Sequence, residues 1–124
     1  MFKCMKETDK RYTIKWNQLL IGDTVITFDF PIVQVVEMSG MLVVRLEQPF
    51  RTIYNENVFA VSLAERKVKW QIAKLKYTTG EGDCPFIYIS IFEDRLRLNN
   101  WCSIYLIVNP LTGEILERSL PEKY

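Results

Sequence analysis

The 124-residue chain contains no histidine. That absence excludes Ser-His-Asp and Cys-His catalysis, imidazole-ligated zinc and any imidazole acid or base. Cysteine is scarce: Cys4, Cys84 and Cys102 are the three, and no two form a C-x-x-C pair. An odd number argues against a closed disulfide framework, so free buried thiols are expected at Cys84 and Cys102. A reducing cytoplasm is the expected compartment. Long apolar runs are lacking as well. The longest, such as residues 104–108, are strand-sized, and residues 1–6 hold no signal-peptide stretch, so neither a membrane span nor a leader is expected. Charge of one sign is also missing. Sixteen Lys and Arg against fifteen Asp and Glu leave a net charge of +1, which gives no basic arm for nucleic acid and no acidic tail.

Apolar residues are plentiful. At 48% hydrophobic and 25% charged, the chain can build one core, and its length fits a single domain over residues 1–124. Apolar residues alternate with a period of two at Tyr12, Ile14 and Trp16, and again at Ile26, Phe28 and Phe30. Ile87, Ile89 and Ile91 form one side of another run, with Phe86, Tyr88, Ser90 and Phe92 on the other. β-Branched and aromatic residues crowd these stretches, which suits a pleated surface. Strands are expected near 12–16, 24–29, 32–38, 41–47, 57–62, 67–72, 86–92, 95–99, 103–109 and 114–118. A short helix over residues 13–20 is the one helical alternative. Turn residues separate the strands at Gly22-Asp23, Ser39-Gly40, Glu93-Asp94 and Asn109–Gly113. Trp16 and Trp70 are expected in the core, whereas Trp101 follows Asn99-Asn100 in a turn and is expected to be exposed.

The sequence also repeats itself, over about 31–72 and 85–118. Residues 31–46 and 85–98 each read as a hairpin around a tight turn. Residues 58–70 then lie over 105–117 without a gap, with Ser62 over Asn109 and Val68 over Ile115. Each copy is a four-stranded up-and-down meander, the first with a longer central loop over 47–57. The polar turn with Lys67-Val68-Lys69-Trp70 after it, and residues 106–116, resemble the outer strands of quinoprotein-like and WD-type propeller blades. Glu117 stands where the second copy would carry the tryptophan. Two blades cannot close a ring, so the expected fold is all-β, with two blade-like meanders packed together and the N-terminal strands covering an edge. The Phe-Asp-Phe-Pro-Ile and Asn-x-Asn-Val-Phe phrasing resembles small bacterial immunity proteins of contact-dependent and polymorphic toxin systems. That resemblance implies a cytoplasmic inhibitor whose partner is a cognate toxin domain, and which waits as a monomer or a homodimer.

Candidate chemistry is thin. Paired carboxylates can split their pKa values when buried together, but Glu81 and Asp83, and likewise Glu93 and Asp94, fall in expected loops where water screens them. Gly80-Glu81-Gly82 lacks the remainder of a phosphate-binding loop, and a calcium site there lacks a third carboxylate. Lys67, Lys69, Lys74 and Lys76 near Trp70 and Tyr77 have the composition of a single-strand nucleic-acid face. Lysines that alternate outward on a strand, over an inward Val68 and Trp70, explain them as well. No enzyme activity, cofactor, metal, nucleic acid or membrane is therefore expected. What remains is a protein-binding surface on the loops 47–57 and 73–83 and the exposed turns: Phe50, Arg51, Tyr54, Glu56, Tyr77, Glu81, Asp83, Glu93, Asp94 and Trp101. The alternative is a structural β module that associates with itself or with a larger β protein.

Overall fold

The computed structural model describes residues 11–74 and 84–119. Among these residues there are eleven strands and no helix. Three short strands, β1 (Thr13–Lys15), β2 (Gln18–Ile21) and β3 (Thr24–Thr27), form one antiparallel sheet. The first meander comprises β4 (Ile32–Met38), β5 (Met41–Leu46), β6 (Val58–Ser62) and β7 (Lys67–Gln71). The second comprises β8 (Phe86–Phe92), β9 (Arg95–Asn100), β10 (Tyr105–Val108) and β11 (Ile115–Arg118). Each meander is a four-stranded antiparallel sheet in chain order.

The repeat holds down to the hydrogen-bond register. A bulge between Ile32 and Gln34 in β4 matches one between Phe86 and Tyr88 in β8. A second pair of bulges interrupts β6–β7 and β10–β11 at equivalent places. Both two-residue hairpin turns, Ser39-Gly40 and Glu93-Asp94, have positive φ at both positions, the backbone that matches the twist of the flanking strands. The Glu47 amide donates to the Pro31 carbonyl as the Trp101 amide donates to that of Pro85, each at 2.8 Å.

The sheets stack in three layers. Leu19, Ile21 and Phe28 pack on one face of the first meander, against Leu42, Val44 and Val61. The other face, with Met41, Val43, Val58 and Trp70, packs on Phe86, Leu96, Leu98 and Leu106 of the second meander. The middle strand β5 is therefore buried on both sides, and only Arg45 in it is partly exposed. Full burial of each such aliphatic side chain is worth about 1.5–3 kcal/mol. Trp70 also locks the layers: its indole Nε1 donates to the Pro110 carbonyl at 2.9 Å. A Cβ on Gly113 would come within 2.7 Å of the same ring.

Several expectations are corrected. Residues 13–20 form a β-hairpin, which keeps the expected first strand and removes the helical alternative, but Trp16 sits in its turn at φ 54° and 68% exposed, outside the core. Because the chain reverses there, the alternation from Tyr12 cannot carry Trp16 inward. Val68 and Trp70 do not share a face: the register shift in β7 pairs Val68 with Val61 and Trp70 with Ala60, on opposite sides of the sheet. The bulge in β8 likewise turns Phe86 inward with Ile89, while Tyr88 and Phe92 face out. Cys84 and Cys102 are not free thiols but a disulfide, with Cα atoms 5.4 Å apart. Cys4 lies outside the described residues.

Candidate functional site

The two meanders have unlike ends. At one end are the tight turns Ser39-Gly40, Leu63–Arg66, Glu93-Asp94 and Asn109–Gly113. At the other lie the 47–57 loop, Cys84-Pro85 and the β9–β10 turn at residues 101–104. A strand rises about 3.3 Å per residue, so the seven residues of β8 hold the two ends about 20 Å apart. The candidate residues are divided between them. Phe50, Arg51, Tyr54, Glu56 and Trp101 belong to the loop end, whereas Glu93 and Asp94 form the tight turn at the far end. Tyr77, Glu81 and Asp83 lie outside the described residues.

At the loop end, Phe50 is 86% exposed, and the Arg51 guanidinium lies 5.2 Å from its ring centroid. Ile53, Ile87 and Trp101 are exposed as well. Gln48, Pro85, Ile87 and Trp101 line a recess of about 300 Å³, which brings the loop beside the β9–β10 turn. Ile53 and Ile87 were missed from sequence. Ile53 is a large apolar residue in a polar loop, a signal the sequence did carry. Ile87 is turned out only by the β8 bulge.

The base of this end is tied by side-chain hydrogen bonds and a disulfide. Buried Asn57 donates from Nδ2 to the carbonyls of Leu46 and Phe86, and its Oδ1 accepts from the Phe86 amide. The Asn55 side chain accepts from the Cys84 amide at 2.9 Å, and the disulfide ties Cys84 to Cys102. Tyr54 is not a free contact residue. Its ring packs on Phe30 at 5.1 Å between centroids, under the loop. Burial, with the nearby carboxylates of Asp29 and Glu56, pushes its phenol up to about 12. The Glu56 carbonyl accepts from Gln71 Nε2, which anchors the loop's return to β6.

Lys67 and Lys69 share one carboxylate partner. Lys69 donates to the Glu65 carboxylate at 2.9 Å with Lys67 at 3.6 Å, and the Lys69 hydrogen bond holds the Glu65 carboxyl below its ordinary range. Glu93 and Asp94 are exposed, at φ 52° and 62°. Among the described residues, no group of three or more carboxylates or thiols converges to hold a metal. None of the described helices is long and apolar enough to cross a membrane, since there are none.

Fold and register define an all-β protein of stacked antiparallel meanders, with large apolar side chains exposed at one end. The chain belongs to the family described as a domain of unknown function, DUF7957, whose profile matches residues 10–120. No curated protein and no solved structure matches it.

Proposed function

We propose that the chain is a non-enzymatic inhibitor of immunity type, which neutralises a cognate toxin domain by binding it through the loop end. The observation that supports this reading is the exposure of four large apolar side chains at this end, Phe50, Ile53, Ile87 and Trp101, of which Ile87 and Trp101 line one recess. Aromatic residues beside an arginine are the usual anchors of protein interfaces. Glu93 and Asp94 lie at the opposite end of the sheet, so the proposed contact set at the loop end is Phe50, Arg51, Ile53, Ile87 and Trp101. The proposed site of action is the cytoplasm, where a delivered toxin would act. Free thiols no longer argue for it, since Cys84 and Cys102 are paired.

The experiment is affinity capture from the native cell with the tagged full chain, run beside the double variant F50A/W101A. The partner's toxic domain is then expressed with either form. A partner held by the wild type and lost by the variant, with growth arrest relieved only by the wild type, supports the proposal. Equal capture by both forms removes the loop end, and a partner whose activity is unaffected removes the inhibitor.

A second reading, a β module that assembles through a sheet face, is favoured by exposed Tyr88, Phe92 and Leu116 on the second meander. It predicts a concentration-dependent dimer in sedimentation.

A further inference from the structure

A cleft of about 660 Å³ opens at the tight-turn end, between the N-terminal sheet and the first meander. Tyr12, Leu20, Ile21 and Leu63 supply apolar walls, and Arg11 and Arg66 line it as well. Arg66 holds an unusual backbone. Its φ is 57°, a left-handed conformation that favours glycine, and the equivalent turn of the second meander does carry glycine there, Gly113 at φ 80°. The two turns are otherwise alike: the Arg66 amide donates to the Ser62 carbonyl at 2.7 Å, and that of Gly113 to the Asn109 carbonyl at 2.8 Å. The turn therefore does not need an arginine.

Its guanidinium lies over Gly22, where a Cβ would stand 2.7 Å from Nη1. Arg66 Nη1 reaches the exposed Asp23 carboxylate at 3.2 Å, and Arg11 pairs with Glu37. A guanidinium carries five donors, and each of these pairs engages a single nitrogen, leaving forked donors for a second acceptor.

From these features we propose that the cleft binds a small free amphipathic anion, through Arg66 and Arg11 at its head and the apolar walls at its body. The head would be a carboxylate, sulfonate or phosphate. The site lies at the opposite end from Phe50 and Trp101, so it stands or falls independently of the inhibitor reading.

The test titrates the full chain with 8-anilinonaphthalene-1-sulfonate, whose sulfonate and fused rings match the cleft, and reads its fluorescence. Saturable one-site binding that inorganic phosphate weakens is expected. R66G should lower the affinity at least tenfold while keeping the melting temperature, because glycine suits the turn. F50A/W101A should bind as the wild type does. R66G binding with unchanged affinity overturns the proposal, and so does binding that F50A/W101A abolishes. Co-sedimentation with phosphatidylserine vesicles that R66G abolishes would assign the site to a lipid headgroup and overturn the free-ligand assignment.

Discussion

The side-chain amide of Asn57 makes with Phe86 the two hydrogen bonds that a neighbouring strand would make, both at 2.9 Å. Gln34 does the same three residues along, donating to the Ile89 carbonyl and accepting from its amide. β8 is an edge strand, and these two amides from the first meander close part of its open side. They stitch the two meanders with backbone recognition in addition to apolar contact.

Replacing Asn57 with alanine should therefore be costly. It leaves the Leu46 and Phe86 carbonyls and the Phe86 amide unmatched in a buried place. Unsatisfied groups of this kind cost about 1–3 kcal/mol each when desolvated. We expect N57A to lose about 3 kcal/mol in urea unfolding. A loss under about 1 kcal/mol would mean that water replaces the amide.

The disulfide should stabilise without defining the fold. The first meander has the Glu47–Pro31 hydrogen bond at the equivalent place and no disulfide, since Phe30 and Gln48 occupy the positions equivalent to the two cysteines. Cys84 and Cys102 are 18 residues apart, and closing such a loop is worth about 3 kcal/mol. Reduction, or C84S/C102S, should lower stability by about that amount and leave the far-ultraviolet spectrum β-type. The oxidised chain, unfolded in denaturant, should show at most one of its three thiols to a thiol reagent.

How legible all this was in the sequence depends on the bulges. Alternation and turn residues located ten of the strands, and the gapless match of 58–70 to 105–117 located the repeat. A bulge adds one residue to one strand, and no period-two pattern marks it, so every inference about which way a side chain faces fails beyond it. Phe86 and Val68 were misplaced for that reason. The disulfide was hidden by the same step: once Phe86 pairs with Asn100, Cys84 and Cys102 each lie two residues further along and face one another. The divided candidate site is a different matter. Nothing local tells Glu93-Asp94 that it lies at the other end from Trp101; the up-and-down topology decides that.

The outer face of the second meander is charged where its counterpart is apolar. Arg95, Arg97 and Glu117 occupy the positions that Met41, Val43 and Trp70 hold in the first meander, where that face receives the next layer. Arg95 pairs with Glu117 at 2.6 Å, and Arg97 lies over the rings of Tyr105 and Phe92, at 4.0 and 5.3 Å from their centroids. Charges set among the exposed rings on the outer face of a terminal repeat disfavour further stacking. R95M/R97V/E117W should bring self-association at micromolar concentration in sedimentation velocity. A triple variant that stays monomeric would show that shape, not charge, ends the series.

Tyr54 gives a pH signature. Its phenol is raised to about 12 against about 10 for an exposed tyrosine. The folded state therefore holds this proton more tightly than the unfolded state does. The associated stability is fully present below pH 10 and is lost as pH rises from about 10 to about 12. Ultraviolet titration of phenolate should show one late component, absent in Y54F. Its persistence in Y54F would assign it to another tyrosine.

The doubly covered middle layer also bears on how the chain reaches its fold during synthesis. When residues 32–71 leave the ribosome they can fold only against the N-terminal sheet, and the side with Met41, Val43 and Trp70 stays bare until β8 to β11 follow. A nascent chain at that stage is a sticky half-product, so a ribosome stalled between residues 72 and 84 would be a natural client for a holding chaperone. The finished protein then hides that surface for good under the second meander.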